Sequence, residues 1–196
     1  MLKRTFDFVF GICALIATLP VIILSALMVY LEDGLPVIFR QKRVGKDGQV
    51  FEMFKIRTMV KNAEELRGQV EKRDKEGHLI HKAKDDPRVT RVGRLLRRFS
   101  LDELPQLINV LKRDMSLVGP RMISPEEVAM YKQFDMNLFT VLPGITGLWQ
   151  VSGRSDISYN ERVRLDMYYV RNWSLWLDLQ VLFQTLPAVL RGRGAY

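Results

Sequence analysis

The stretch Lys3-Arg-Thr-Phe-Asp-Phe-Val-Phe-Gly-Ile-Cys-Ala-Leu-Ile-Ala-Thr-Leu-Pro-Val-Ile-Ile-Leu-Ser-Ala-Leu-Met-Val-Tyr-Leu31 decides the fold class of this chain. From Phe6 to Leu31 the run is apolar apart from four side chains, which are Asp7, Thr18, Ser25 and the amphipathic Tyr30. It is longer than the roughly 20 residues that a helix needs to cross a bilayer core. We therefore expect the chain to begin with a helix that enters a membrane.

Two features of this run bear on how it enters the membrane. Basic residues flank both ends, namely Lys3 and Arg4 before it and Arg40, Lys42, Arg43 and Lys46 after it. Since positive charge favours the cytoplasmic side, this pattern does not choose an orientation for a single span. Pro20 near the middle deletes a backbone hydrogen bond and favours a bend or a break. A helix-break-helix that returns to the same side satisfies both facts, although these residues alone balance it evenly against a single span.

The charge of the chain narrows the range of possible partners, and its cysteine content excludes two kinds of cysteine-based site. The 196 residues carry a net charge of +8 and a pI near 9.7, which indicates an anionic partner: nucleic acid, acidic lipid headgroups or a polyphosphate substrate. The one cysteine, Cys13, lies within the apolar run, so the chain has neither an internal disulfide framework nor a cysteine-based metal cluster. No small-residue cleavage pattern precedes Glu32, and we expect the segment to stay attached.

A second stretch, Phe99-Ser-Leu-Asp-Glu-Leu-Pro-Gln-Leu-Ile-Asn-Val-Leu-Lys-Arg-Asp-Met-Ser-Leu-Val-Gly-Pro-Arg121, places two adjacent carboxylates in basic surroundings. Its leucines and isoleucine recur at helical spacing and predict a helix of about three turns that begins near Glu103. Asp102 would then be the N-cap, with Pro105 in the first turn. Such a pair either caps a helix or binds metal and phosphate, and taken by itself the pair favours capping.

The chain after the membrane segment predicts a small β-hairpin. Residues 36–43 and 49–59 form apolar, extended segments on either side of a turn at residues 45–48. Lys55 and Arg57 alternate with Phe54 and Ile56, so they project from the opposite face, where they are free to reach a phosphate.

Two further segments carry weaker signals. The charged residues 61–91 predict a helix followed by a surface loop, in which His78 and His81 are better explained as solvated side chains than as half of a metal site. The glycine-rich residues 143–154 can bring backbone N–H groups to an anion. They match neither the Walker nor the dinucleotide pattern, which disfavours ATP and NAD.

The C-terminal part predicts two amphipathic helices. The first covers residues 158–172, and the second runs from Leu175 to about Leu186, ahead of Pro187. Trp173 and Trp176 suit the headgroup level of a membrane. Ordinary core packing of the last helix is an equal alternative.

Six ordered motifs together resemble the bacterial sugar transferase family, the monotopic phosphoglycosyl transferases. They are Lys3-Arg-Thr-Phe-Asp7, Phe54-Lys-Ile-Arg-Thr-Met59, Ser100-Leu-Asp-Glu-Leu-Pro-Gln-Leu107, Ser116-Leu-Val-Gly-Pro-Arg121, Pro143-Gly-Ile-Thr-Gly-Leu-Trp-Gln150 and Leu165-Asp-Met-Tyr-Tyr-Val170. The resemblance covers almost the whole chain. It implies a mainly α monotopic membrane protein with a small β-hairpin and interfacial amphipathic helices. Residues 1–35 would be a re-entrant helix-break-helix and residues 36–196 a catalytic domain on the cytoplasmic face of the bacterial inner membrane.

The resemblance also implies an enzyme. Members of the family move a sugar 1-phosphate from a nucleotide diphosphate sugar to a polyprenol phosphate, usually undecaprenyl phosphate, and so begin a cell-surface glycan such as exopolysaccharide, capsule or lipopolysaccharide O-antigen. Matched residue by residue, Asp102 is implied as the nucleophile that forms an aspartyl phospho-sugar and releases UMP. Glu103, beside Asp102, is implied as a ligand of Mg²⁺.

Further residues match family positions. Arg97, Arg121 and Arg154 are expected to contact the diphosphate, while Lys55 and Arg57 are weaker candidates. Asp178 also matches, without an assigned role.

The remaining expectations concern substrates and partners. The ending Leu190-Arg-Gly-Arg-Gly-Ala-Tyr196 looks like that of members which transfer glucose 1-phosphate or galactose 1-phosphate, so UDP-glucose or UDP-galactose is the expected donor. Inner-membrane lipids are expected partners. Nucleic acid is not, since residues 91–98 interleave no aromatic side chains with the arginines. The resemblance allows a homodimer, which the composition does not demand. The alternative is a membrane-tethered basic scaffold or binding module without catalysis.

Overall fold

The computed structural model describes residues 2–66, 72–73, 79–80, 86–128 and 136–192. These residues form a mainly helical protein with small two-stranded sheets, as the sequence predicts. The helices are α1 (Leu2–Asp33), α2 (Arg91–Arg98), α3 (Gln106–Leu111), α4 (Leu148–Val151), α5 (Tyr159–Arg171) and α6 (Leu175–Arg191). The strands are β1 (Ile38–Val44), β2 (Val50–Ile56), β3 (Lys72–Arg73), β4 (Leu79–Ile80), β5 (Ser116–Val118) and β6 (Gly144–Thr146). Short 3₁₀ turns occupy Lys46–Gly48, Leu101–Glu103, Met136–Thr140 and Arg154–Asp156.

Helix α1 continues through Pro20, so the predicted break in the helix is wrong. Proline removes one N–H from the helical ladder, but contacts of both halves of α1 with the rest of the chain offset that loss. Two residues before the proline, the Thr18 hydroxyl donates to the carbonyl of Ala14 at 2.7 Å. Within the described residues, α1 is the helix long and apolar enough to cross a membrane.

The N-terminal end of α1 is held by a buried network of charges. Lys3 Nζ lies 2.9 Å from Asp178 Oδ2 on α6 and 3.1 Å from Asp7 Oδ1 one turn along α1. Asp178 is fully buried and also accepts a hydrogen bond from the Tyr169 hydroxyl at 2.6 Å. Burial and the hydrogen bond to Asp178 raise the pKa of Tyr169, which therefore remains a donor. We call Lys3, Asp7, Tyr169 and Asp178 the N-terminal clasp.

The clasp also fixes strand β5. Asp7 accepts hydrogen bonds from the Ser116 hydroxyl at 2.8 Å and from the Leu117 backbone N–H at 3.2 Å. The carbonyl of Val118 accepts from Lys3 at 3.2 Å. Because β5 leads directly to Arg121, the start of α1 and the segment that carries this arginine are parts of one rigid unit.

The C-terminal end of α1 is bound to the same body. The Glu32 carboxylate accepts hydrogen bonds from the backbone N–H groups of Arg91 and Val92 and so caps the start of α2. Arg57 Nη2 donates to the carbonyls of Asp33 and Gly34 at 3.0 and 2.8 Å and pairs with the Asp33 carboxylate at 3.0 Å. Both ends of the apolar helix are therefore tied to one folded domain.

Between its two attachments, α1 leaves a wide apolar surface uncovered. Ile16 is 68% exposed and Ile23 is 60% exposed. The other large apolar side chains exposed along this part are Leu19, Val21, Leu24 and Leu27. A surface of this kind has the composition of a membrane-facing one.

The predicted hairpin is confirmed, with β1 and β2 antiparallel and Val44 opposite Val50. Strands β5 and β6 pair in parallel, with Ser116 opposite Gly144. A Cβ atom at Gly144 would collide with the backbone nitrogen of Gly119, so this crossing requires bare backbone. The pair brings the loop after β5 beside the glycine-rich segment that the sequence singled out.

The two predicted C-terminal helices are confirmed, with one difference in length. Ser158 caps α5 by accepting from the backbone N–H of Glu161 at 3.2 Å. Helix α6 does not end before Pro187 but includes it and continues to Arg191, where Gly192 at φ +61° terminates it. The carbonyl that Pro187 leaves without a backbone donor belongs to Phe183, which is 72% exposed, so the cost of leaving it unpaired is small.

The clasp yields a prediction about stability. Replacement Lys3→Met leaves the buried Asp178 carboxylate without its cation and should lower the free energy of unfolding by about 3 kcal/mol. For a chain of this size that corresponds to a Tm lower by roughly 6–12 °C, measured by tryptophan fluorescence in detergent. The control Arg4→Met removes an exposed cation one residue along and should leave Tm nearly unchanged. Equal effects of the two substitutions would contradict a structural role for the clasp.

Candidate active site

The two adjacent carboxylates lie in a tight turn, not at a helix N-cap. Asp102 and Glu103 belong to the 3₁₀ turn after Ser100, whose φ is +54°, and α3 begins only at Gln106. The predicted helix start near Glu103 is thus wrong by three residues. The reason is Pro105, which has no N–H for the carbonyl of Leu101, so that the i→i+4 ladder cannot start earlier. The turn instead uses i→i+3 bonds.

Cationic side chains from three elements converge on this pair. Lys55 Nζ on β2 contacts Glu103 Oε1 at 2.7 Å. Arg97, at the end of α2, is oriented by a 2.9 Å hydrogen bond from its Nε to the Thr58 hydroxyl. Arg154 comes from the 3₁₀ turn after α4. The structure therefore places Lys55 against Glu103, and Arg97 and Arg154 within electrostatic range of the carboxylate pair.

Burial sets the electrostatics of these cations. It lowers the pKa of the Arg97 guanidinium, and the charge of Asp102 opposes that shift more than any other carboxylate does. Burial likewise lowers the pKa of Arg154, and Glu103 and Asp102 both oppose it. Asp102 itself is only 8% exposed. Partly desolvated charges attract one another more strongly than they would in water, which keeps the carboxylates and the arginines interdependent.

Arg43 and Glu127 are charged residues near the site that sequence reasoning missed. Arg43 Nη1 on β1 lies 3.5 Å from Glu127 Oε2. Burial, reinforced by the neighbouring Arg121, lowers the pKa of Arg43 to about 10, while Glu127 and Glu103 oppose the shift. Arg43 therefore lies within electrostatic range of both Arg121, which repels it, and Glu103, which attracts it.

The sequence does contain a pattern that could have predicted the contacts of Glu127. Ser124 and Glu127 have the Ser-x-x-Glu spacing of a capping box. The Ser124 backbone N–H donates to Glu127 Oε2 at 2.7 Å, and the Glu127 N–H donates to the Ser124 hydroxyl at 3.4 Å. Burial alone would raise the pKa of Glu127, but the bond from Ser124 and nearby arginines lower it overall. The glutamate therefore stays ionised opposite Arg43.

Arg121 is positioned by two contacts. Its guanidinium lies over the ring of Trp149 on α4, 4.7 Å from the centroid. Its backbone N–H donates to Asp166 Oδ1 on α5 at 3.3 Å. Asp166 is 1% exposed, and burial raises its pKa to about 7 against the opposing charges of Arg162 and Arg121. The carboxyl that supports Arg121 thus titrates close to neutral pH.

Two of the sequence-predicted residues are engaged elsewhere. Arg57 is 7% exposed and its Nη2 is bound to the carboxyl end of α1, so it is not free on the strand face as expected. Asp178 belongs to the N-terminal clasp. The contacts described for these two residues connect α1 to the domain and not to the carboxylate pair.

The donor set at the turn fits Mg²⁺ brought in with a substrate. Mg²⁺ is usually bound by one or two carboxylates together with substrate phosphates. Asp102 and Glu103 supply the carboxylates, and among the residues described no group of three or more His, Cys, Asp or Glu side chains forms a metal cage. His78 and His81, which the sequence analysis considered for a metal, lie outside the described residues.

Comparison with known proteins decides the family. The family model described as Bacterial sugar transferase matches residues 1–192, a range that includes every residue of the site. The chain belongs to the bacterial sugar transferase family. The resemblance carried by the six sequence motifs is thereby confirmed.

The chain aligns over almost its whole length with curated relatives. It is 48% identical to an undecaprenyl-phosphate galactose phosphotransferase from Salmonella typhimurium, covering 100% of this chain and 42% of that protein. It is 46% identical to a UDP-galactose-lipid carrier transferase from Erwinia amylovora, with the same two coverages. It is 43% identical to the exopolysaccharide production protein ExoY from Sinorhizobium fredii, over 99% of this chain and 88% of ExoY. The chain thus spans less than half of the first two relatives and most of the third.

The raised pKa of Asp166 predicts how stability depends on pH. The folded state keeps the Asp166 proton up to about pH 7, whereas the unfolded chain loses it near pH 4. Between these values stability must fall as pH rises, and above about pH 8 this contribution is constant. Because Asp166→Asn cannot titrate, the Tm of the wild type minus that of the variant should decrease from pH 5 to 7 and then level off.

Thermal unfolding in detergent at pH 5, 6, 7, 8 and 9 measures this difference. The control Asp47→Asn replaces an exposed carboxylate in the β1–β2 turn, where asparagine tolerates the φ of +56°. It should reproduce the pH dependence of the wild type. A wild-type profile parallel to that of Asp166→Asn would show that Asp166 does not titrate in this range.

Proposed function

We propose that this protein transfers a hexose 1-phosphate from a UDP-sugar, UDP-galactose or UDP-glucose, to undecaprenyl phosphate and releases UMP. Such a reaction begins the synthesis of exopolysaccharide, capsule or O-antigen. The observation that carries the proposal is the pair Asp102 and Glu103 in one tight turn, with Lys55 in contact with Glu103 and the charges of Arg97 and Arg154 acting on the pair. The names of the Salmonella and Erwinia relatives, which mention undecaprenyl phosphate, a lipid carrier and galactose, support the substrate classes.

Asp102 is proposed as the nucleophile. A carboxylate oxygen attacks the phosphorus that bears the sugar, the bond to the bridging diphosphate oxygen breaks, and UMP leaves with the electron pair. The product is an aspartyl phospho-sugar. A phosphate oxygen of the lipid then attacks the same phosphorus and restores the carboxylate. Two displacements at one phosphorus suit a nucleophile on a rigid turn, because neither step requires the backbone to move.

Neutralising charge is the main demand of this chemistry. An anionic carboxylate must approach an anionic diphosphate, so positive charge has to surround the phosphorus. Lys55, Arg97 and Arg154 supply it beside the pair, and Arg43 and Arg121 add positive charge nearby. We assign the diphosphate contacts to Arg97, Arg121 and Arg154. We do not assign one to Arg57, because its described contacts are with the end of α1.

We further propose that Glu103, with Asp102 beside it, holds Mg²⁺ when the nucleotide sugar binds. The ion would supply charge neutralisation at the diphosphate. Glu103 and Asp102 would hold the ion, and the ammonium of Lys55, 2.7 Å from Glu103, would bind a phosphate oxygen of the donor. Lys55 thus serves the site with or without substrate.

The membrane arrangement follows from the two attachments of α1. A helix of this length extends about 48 Å, which exceeds the roughly 30 Å of a hydrocarbon core. If α1 spanned the bilayer, its ends would face opposite sides, yet Lys3 and Asp33 both bind one polar domain. A re-entrant segment over residues 1–35, in which the unbroken helix bends at Pro20 and returns to the side it entered from, avoids this conflict and leaves residues 36–196 on the cytoplasmic face of the inner membrane. We propose that monotopic arrangement.

Helix α6 supports an interfacial position for the domain. Trp176, Phe183, Leu186 and Leu190 recur at intervals of seven, three and four residues on one side, and each is at least 66% exposed. Lipid contact explains why so large an apolar face has no protein cover among the described residues. Core packing, the alternative for this face, would have buried it.

Replacement Asp102→Asn tests the proposed reaction. It removes the nucleophile with little change in volume and should reduce UMP release from UDP-galactose or UDP-glucose at least about 1,000-fold. The assay contains detergent-solubilised protein, Mg²⁺ and undecaprenyl phosphate.

Mass spectrometry of the wild type without lipid should find a sugar phosphate on Asp102. Asp47→Asn is the matched control, and EDTA should abolish turnover. Full UMP release by Asp102→Asn would refute the assignment.

Cysteine labelling tests the topology. In a Cys13→Ser background, single cysteines at the exposed positions Leu2 and Leu35 lie just outside the two ends of the apolar run. Both should react with a membrane-impermeant maleimide in inside-out vesicles, and neither should react in right-side-out vesicles. A spanning helix would instead expose one position in each preparation.

A further inference from the structure

A cleft of about 300 Å³ opens beside the carboxylate turn, between the end of α4 and the C-terminal half of α6. Its lining includes Gln150, Val151, Arg154, Pro187, Ala188 and Arg191. The volume is at the small end of the range for ligand pockets. The cleft therefore accommodates a small ligand or one end of a larger one.

The chemistry of the lining is amphipathic. Arg154 and Arg191 present two guanidinium groups, and none of the described residues that line the cleft carries a carboxylate. Val151, Pro187 and Ala188 supply an apolar wall. Charge complementarity calls for an anion, and the apolar wall calls for a hydrocarbon attached to that anion.

Both ends of the cleft are connected to the carboxylate turn. Arg154 interacts electrostatically with Glu103 and Asp102. At the other end, Gly192 follows Arg191 and packs against Arg98, where a Cβ atom on the glycine would lie 3.1 Å from Cγ of that arginine. Arg98 closes α2, four residues before Asp102. An anion in the cleft is therefore adjacent to the proposed nucleophile.

The cleft also adjoins the proposed membrane surface. Helix α6 lines it with Ala188 and Arg191, while Phe183, Leu186 and Leu190 of the same helix are exposed. A lipid whose tail remains in the bilayer can place its headgroup here by crossing only the width of one helix. A water-soluble nucleotide would not need a binding site next to the membrane surface.

We propose that this cleft binds the head of the isoprenyl phosphate acceptor, an inference that rests on the proposed function. Arg191 holds the phosphate, Arg154 joins it once UMP has left and no longer occupies that arginine, and Val151, Pro187 and Ala188 contact the first isoprene units. From this position a phosphate oxygen of the lipid forms a bond to the phosphorus of the aspartyl phospho-sugar. The bond from that phosphorus to the Asp102 oxygen breaks, and its electron pair restores the carboxylate. No proton is exchanged, since the phosphate monoester reacts as its dianion.

Two variants test the cleft without touching the nucleophile. Arg191→Gln removes one guanidinium, and Ala188→Trp fills the apolar wall. Each should raise the KM for undecaprenyl phosphate at least 10-fold at saturating UDP-sugar, while the KM for UDP-sugar changes less than 2-fold. Formation of the aspartyl adduct from UDP-sugar without lipid, measured in a single turnover, should also change less than 2-fold. Arg191→Lys should recover part of the lipid affinity.

Arg171→Gln is the matched control, because Arg171 is an exposed arginine at the end of α5 that does not line the cleft. It should leave both KM values unchanged. Farnesyl phosphate should compete with undecaprenyl phosphate in the wild type and at least 10-fold more weakly in Arg191→Gln. Equal competition by inorganic phosphate or by phosphatidylglycerol vesicles would overturn the proposal in favour of a general anion site.

The remaining outcomes are distinguishable. If the variants raise the KM for UDP-sugar or slow adduct formation, the cleft binds the nucleotide donor and the proposal is wrong. If they change neither KM, the cleft binds neither substrate. If the wild type forms no adduct and releases no UMP, the proposed function fails first and the acceptor assignment falls with it.

Discussion

The contact between Lys3 and Asp178 is the constraint on which the rest of the structure depends. It joins the start of the apolar helix to the last helix, and through Asp7 it also fixes β5. Phe6, Ala14 and Leu15 of α1 pack against the main hydrophobic core, so the clasp is a polar centre within an apolar contact. A buried pair of this kind adds little net stability over an apolar substitute, but it specifies one arrangement, because any other leaves a charge unpaired. The membrane helix and the site are consequently built on the same framework.

The site itself balances a small number of opposed charges. Two carboxylates lie on one turn, and the cations around them come from distant parts of the chain: Lys55 from the hairpin, Arg97 from α2 and Arg154 from the segment after α4. In the absence of substrate these cations have carboxylates as partners, which keeps partly buried arginines and a lysine from being uncompensated. A nucleotide sugar brings its own negative charge, and the same cations can turn from protein to substrate.

The sequence predicted features that depend on local patterns and missed those that depend on distant partners. The β1–β2 hairpin and α5 were predicted because alternation, helical spacing and capping are local signals. The three errors in helix limits all concern prolines: Pro20 and Pro187 lie inside helices, whereas Pro105 delays one. A proline inside a helix always removes one backbone hydrogen bond. Whether the helix forms in spite of that loss depends on tertiary contacts, which cannot be read from the sequence. For the same reason, the sequence did not predict the pairing of Arg43 with Glu127, which lie 84 residues apart, or the contact between Lys3 and Asp178.

The clasp also has a consequence for the order in which the protein can be made. Lys3 and Asp7 leave the ribosome with the first segment of the chain, but Tyr169 and Asp178 are synthesised near its end. Until then Lys3 lacks the buried carboxylate of Asp178, although Asp7 can already accept from Ser116 and Leu117 once β5 has been made. Final placement of α1 is therefore a late event in biogenesis, and nearly all of the chain that follows α1 is translated before that helix has its last partner. A ribosome that stalls before α6 would leave an anchored chain that cannot complete its own insertion.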